Sequence, residues 1–159
     1  MRKLLILCHH RIAPPGDRST YLGVPQDIFE EQIVFLKRYF KKVTFNEGVE
    51  RFRADSIKEP LLILTFDDGY RDNYLYAFPI LKKYHIAGTI FVTADFLGTK
   101  KRFWWDVVAD MIMGSSSLNA GLKERIKIAE NINKSLKTMA AGKMEREIEK
   151  IEEKFGSIR

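Results

Sequence analysis

LLILTFDDGY, residues 61–70, decides how this 159-residue chain is read. Leu61 to Phe66 is a continuous apolar run with no charge, preceded by Pro60. An unbroken run of this length, without polar alternation, fits a strand buried on both faces at the centre of a parallel sheet. Asp67, Asp68, Gly69 and Tyr70 follow at once. The carboxyl ends of parallel strands are where α/β folds gather their polar chemistry. Gly69 lets the backbone turn sharply, which relaxes the strict alternation of side chains along the strand. Two carboxylates held close repel unless a cation or a shared proton takes up the charge. One reading makes one carboxylate a metal ligand and the other a base for metal-bound water. The other reading is a capped turn, with carboxylates accepting backbone amides at the start of the next helix. On spacing alone the two are evenly matched.

The flanks extend the pattern. Residues 3–8 read as a first buried strand, and "HHRIAPPGDRSTYLGVPQ" as a loop punctuated by Pro14, Pro15, Gly16, Gly23 and Pro25. A helix is expected from Asp27, with Asp27 as N-cap and Glu30 at capping-box spacing. Ile28, Phe29, Ile33, Leu36 and Phe40 form its apolar stripe. "KKVTF" reads as a short strand and "NEGVERFRA" as a short helix. After the aspartates, "NYLYAFPILKKYH" reads as a helix that Pro79 kinks or restarts, and "TIFVTA" as the next strand. Strand, helix and strand at this spacing make a βαβ unit and hence a parallel sheet. "FWWDVVADMIMG" is an aromatic-led helix and "SSSLNAG" a polar linker. Residues 122–155 read as a charged helical pair broken near "AAG". Two regions are therefore expected: 1–121, the α/β part, and 122–159, a charged amphipathic helical insertion or extension.

Composition narrows the classes. Hydrophobic residues make up 45% of the chain and charged residues 30%, the balance of a globular protein rather than a disordered one. The net charge of +6 is spread over helix faces, with no basic run interleaved with aromatics, so nucleic acid is not an expected partner. Cys8 is the one cysteine, which excludes a disulfide within the chain and a CxxC metal pair; it is expected to be a small buried residue. "MRKLLILCHH" is too short in its apolar part for a signal peptide, and no stretch is long enough to span a membrane. The cytoplasm is the default expectation.

"TFDDGY", Thr65 to Tyr70, resembles the first motif of the polysaccharide deacetylases, the NodB-homology or carbohydrate esterase family 4 group. "YAFPILKKYHIAGTIFVTADFLG" resembles the helix and strand that follow it in that family, and "LCHHRI" the "YHRI" opening of one subgroup. "FWWDVVADMI" and the charged helices resemble an insertion of the same subgroup. A haloacid dehalogenase-type phosphatase, by contrast, needs its two aspartates one residue apart, and here they are adjacent. The resemblance implies an incomplete distorted (β/α) barrel, with parallel strands, flanking helices and a C-terminal helical segment. It implies a metal-dependent hydrolase that removes N-acetyl groups from a carbohydrate. By that resemblance Asp67 matches the catalytic base, Asp68 a ligand of a divalent metal, commonly zinc, and His10 the general acid. Tyr70 would lend its backbone amide to an oxyanion, and Arg11 would orient Asp67. His9 is expected to be structural and His85 exposed.

One departure matters. The family completes its metal site with a His-x-x-x-His pair, and the histidines here are His9, His10 and His85. Asp68 alone is too few ligands for zinc. About half of a barrel of some 250 residues is present, so the chain is expected to be the N-terminal portion of a deacetylase. An open sheet of this kind exposes edges, and self-association or a complementing chain is expected. The alternative is a non-catalytic carbohydrate-binding half-domain, with Phe103, Trp104 and Trp105 as a stacking platform.

Overall fold

The computed structural model describes residues 3–17 and 23–156. Within them the chain divides into two compact units, residues 1–97 and 98–159. The division falls ahead of the aromatic-led helix, not at 121/122, because that helix packs with the two that follow it.

The first unit is built around β5, Leu61–Phe66, in which every residue is buried. β1, Leu4–His9, runs parallel along one edge in full register, from Leu4 opposite Leu61 to His9 opposite Phe66. The other edge is shared. β4, Lys41–Lys42, pairs with Leu61 and Leu62, and β6, Gly88–Ile90, pairs with Leu64 to Phe66. All these pairings are parallel, as the uninterrupted apolar run of β5 requires. No closed barrel forms among the described residues; the sheet is the open, incomplete form of one.

Alternation along β5 sends its side chains into two cores. Leu64 and Phe66 pack with Ile12, Phe29, Ile33, Ala77, Ile80, Leu81 and Ile86. Leu61 and Ile63 pack with Val43 and Ile57 on the other face. The first core is covered by α1, Gln26–Tyr39, and α3, Phe78–Lys83. The second meets α2, Phe45–Arg53, where Gly48 lies so close that a Cβ would stand 2.5 Å from Ile63 Cδ1.

Several local expectations are revised. The stretch read as one loop contains β2, Arg11–Ala13, and β3, Gly23–Pro25, paired in parallel; residues 18–22 lie outside the described residues. Asp27 is not the N-cap of α1. The helix begins at Gln26 after an extended Pro25, and Asp27 sits in the first turn, where its charge suits the helix dipole. The strand expected over "TIFVTA" pairs only at Gly88–Ile90, and Ile90, Phe91 and Val92 are about half exposed. The expected restart at Pro79 is present. A π-helical turn, Asn73–Ala77, precedes α3, because proline at its start offers no amide to the previous turn.

The second unit holds α4, Trp104–Gly114, α5, Leu122–Leu136, and α6, Ala141–Phe155. Val108, Met111, Leu136 and Ile151 form its core. Arg125 donates to the carbonyls of Ile112, Met113, Ser115, Leu118 and Ala120, and so satisfies the end of α4 and the linker with one guanidinium. Phe103 is buried and stacks on Trp105, and Trp104 joins the core. The aromatic trio thus serves helix packing. No helix among the described residues is long and apolar enough to cross a membrane.

His9 carries a consequence for stability. It is 6% exposed, bonds Gln32 Oε1 through Nε2 at 3.1 Å, and packs against Phe29 and Phe66. Burial pushes its pKa down, so the folded protein holds the ring neutral. A histidine whose folded pKa lies below its unfolded value weakens the fold as pH falls through the unfolded value, about 6.5. We expect unfolding free energy to drop as pH falls below that point, and His9→Phe to flatten the dependence between about pH 6.5 and 5. Denaturant melts across this range check it; an unchanged slope in the variant would refute the assignment.

Candidate active site

In-register pairing of β1 with β5 builds the site. Cys8 stands beside Thr65, and His9 beside Phe66. Alternation sends His9 and Phe66 into the first core and leaves Cys8, Thr65 and, two residues on, Asp67 facing the other way. Both strands end at the same level, held by Asp67 N–H donating to the His9 carbonyl at 2.9 Å. His10, one residue past β1, then returns to the Asp67 side. Cys8, Thr65, Asp67 and Asp68, with Phe91, Val92 and Thr93, line an open cleft of about 520 Å3.

The turn after β5 is left-handed at two consecutive positions. Asp68 has φ of +70° and Gly69 of +76°. Aspartate tolerates this region better than most residues, and glycine occupies it freely. At Gly69 a Cβ would also come within 2.9 Å of Val92 Cγ1. The turn aims Asp68 at His10, whose Nδ1 lies 3.0 Å from Asp68 Oδ2. A carboxylate can only accept, so Nδ1 carries the hydrogen and Nε2 is left for other work.

A second carboxylate fixes this arrangement. Asp72 Oδ2 accepts from Arg11 Nε at 2.9 Å, and its Oδ1 accepts from the Ile12 amide at 3.1 Å. Asn73 is 2% exposed, and its Nδ2 donates to the His10 carbonyl at 3.1 Å. Arg11 also lies over the Tyr70 ring, 4.8 Å from its centroid. The segment carrying His10 is thereby tied to the segment carrying both aspartates at three successive residues.

The expected site residues are placed as follows. His10, Asp67 and Asp68 are brought together, and Tyr70 flanks them. Arg11, expected to orient Asp67, is engaged with Asp72 and Tyr70, since Asp72 lies directly beneath the start of β2. His9 is structural and His85 is exposed on the turn after α3, both as expected. Cys8 is corrected: it is exposed, not buried, because its face of β1 opens on the cleft. The enclosure of its thiol by the cleft walls, and then its neighbour Asp67, push its pKa up. Asp72 and Asn73 were missed. Their signal was their place in the first turn after the aspartates, within reach of any segment ending alongside β5.

A divalent metal of the kind the resemblance implies can be tested against these side chains. Ligand atoms of Cys8, His10 and Asp67 all lie within 4.8 Å of one another. Sulfur, imidazole nitrogen and carboxylate oxygen together suit a zinc-like cation better than magnesium or calcium. These three donors suit such an ion, but they are not the set the resemblance implies, in which Asp68 is the ligand.

Residues 54–157 match the family profile of the polysaccharide deacetylases. The chain belongs to this family. It is 32% identical over 120 residues to the Bacillus subtilis protein YxkH, covering 74% of this chain and 42% of that protein. It is 30% identical over 108 residues to the poly-β-1,6-N-acetyl-D-glucosamine N-deacetylase of Staphylococcus epidermidis, covering 60% of this chain and 37% of that one. The structure of IcaB from Ammonifex degensii superposes with a TM-score of 0.58 at 28% identity, over 71% of this chain and 49% of that chain. The chain thus spans less than half the length of these relatives.

Asp72 makes a direct test of the brace. Asp72→Ala removes acceptors from a part-buried guanidinium and a backbone amide. We expect a loss of about 2–3 kcal/mol in unfolding free energy, with Asp72→Asn recovering part of it. Chemical denaturation of the three proteins measures both; a loss below about 0.5 kcal/mol would show that the brace contributes little.

Proposed function

We propose that this chain supplies the base, acid and carboxylate ligand of a metal-dependent hydrolase that removes N-acetyl groups from a carbohydrate. The observation that carries the reading is the His10–Asp68 contact at 3.0 Å, formed beside Asp67 at the carboxyl end of the central strand. The substrate class is taken from the family and from relatives such as the poly-β-1,6-N-acetyl-D-glucosamine deacetylase.

Asp68 would hold the cation, together with two histidine donors that this reading requires from elsewhere. A divalent cation, when bound, polarises the acyl carbonyl and makes its water more acidic. Asp67 accepts the water proton on a carboxylate oxygen. His10 keeps one proton on Nδ1, fixed by Asp68, and delivers a second from Nε2 to the leaving amine. Arg11, Asp72 and Asn73 keep His10 from swinging away during this transfer. The Tyr70 amide would receive developing oxyanion charge. The open cleft, rather than a closed pocket, suits one residue of a polymer whose chain continues past the site on either side.

The test is acetate release from N-acetylglucosamine oligomers by the protein. Asp67→Asn is expected to lower kcat by about 10²–10⁴-fold with little change in KM, since general acid–base catalysis contributes about that much. Asp68→Asn is expected to lose bound metal and activity together, and chelation should abolish turnover until metal is returned. Activity that survives both substitutions would overturn the reading.

A further inference from the structure

The deacetylase reading uses Asp67, Asp68 and His10, and leaves Cys8 without a role. Yet Cys8 opens on the same cleft, beside Thr65 and Asp67. Its thiol, the His10 ring and an Asp67 oxygen form a group whose donor atoms lie within 4.8 Å of one another. We propose that Cys8, His10 and Asp67 form a cation site of their own, selective for soft or borderline divalent ions such as zinc or cobalt.

Three arguments support it. Around a tetrahedral ion with ligands at 2.0–2.3 Å, donors stand roughly 3.5 Å apart, so the present spread closes with a shift of about 1 Å. The donors sit on rigid supports. Cys8 is within β1, Asp67 directly follows β5, and His10 is held by its Asp68 contact and by Asn73 on its carbonyl. The tautomer is also right: Asp68 fixes the hydrogen on Nδ1, leaving the Nε2 lone pair for a metal, the carboxylate–histidine–metal arrangement of many sites. A sulfur donor in the set disfavours magnesium and calcium, which take oxygen.

This site differs from the one in the deacetylase reading, where Asp68 is the ligand. Only its consequence rests on that reading. A cation here occupies the base and the acid at once, so its binding and the proton transfers exclude each other.

Cobalt(II) added to the full chain tests the proposal, because a thiolate ligand gives a strong near-ultraviolet charge-transfer band. Cys8 is the single cysteine, so the band has one origin. We expect a saturable band at one cobalt per chain, bleached by zinc, and absent from Cys8→Ser. His10→Ala and Asp67→Asn should weaken cobalt binding by more than about tenfold, since loss of an outer-shell partner alone weakens metal sites by about 10–100-fold. Asp68→Asn should still give the band at saturating cobalt, with affinity lowered by about 10–100-fold because His10 loses its outer-shell partner. A band absent from the wild type, a stoichiometry of one cobalt per two chains, or a band unmoved by both His10→Ala and Asp67→Asn would overturn the proposal. None of these outcomes bears on the deacetylase reading, which stands or falls on acetate release by Asp67 and Asp68 variants.

Discussion

The parallel, in-register pairing of β1 with β5 is the constraint on which the rest depends. It is the most extensive strand contact in the chain, and it sets two adjacent strand ends at one level. A slip of one residue would exchange the faces of every side chain on β1. His9 would leave its place between Phe29 and Phe66, and Cys8 would turn into the core. The slip would thus expose a ring now buried and bury a residue that now faces the cleft. The packing of His9 against Phe66 and its bond to Gln32 therefore do more than fill space. They lock the register that brings His10 to the aspartates.

Much of this was legible from residue types. The uncharged run of β5, five apolar residues and Thr65, read as a doubly buried strand, and the break in polarity at Asp67 marked its carboxyl end. The βαβ unit followed from spacing, and Pro79 from its missing amide. What could not be read was anything fixed by pairing between distant segments. Cys8 sits in an apolar run and so looks buried, but its exposure depends on which face of β1 is covered. Arg11 was expected to orient Asp67. Its partner at Asp72 depends on the path of the turn after β5, which is set by the left-handed pair Asp68–Gly69. The parallel contact of β2 with β3 escaped notice because three-residue strands leave too little pattern, and prolines around them read as loop.

The left-handed turn has a chemical logic of its own. An extended residue after Phe66 would continue the strand and throw successive carboxylates to opposite sides of the sheet. With Asp68 and Gly69 both at positive φ, the chain reverses within two residues, and the two carboxylates stay on one side with separate tasks. Asp67 lies with Cys8 along the cleft, and Asp68 reaches His10. Glycine is needed for the second left-handed step, and Val92 crowds the space a side chain would fill. The left-handed step at Gly69 thus sits between the two aspartates and the pair Asp72 and Asn73, which tie the far side of the turn to residues 10–12.

The second unit stands on a different principle. Its helices carry their own core and their own polar closure, in which Arg125 gathers five carbonyls and Asn133, wholly buried, donates to the Trp105 carbonyl. A guanidinium placed there solves the problem posed by a helix that ends at Gly114 with an extended Ser115 as its C-cap rather than a left-handed glycine, since the last carbonyls must find donors or water. The charged residues that dominate the sequence of α5 and α6 lie on exposed faces, and the apolar stripe of each turns inward. The segment therefore has the means to fold as a helical unit in its own right.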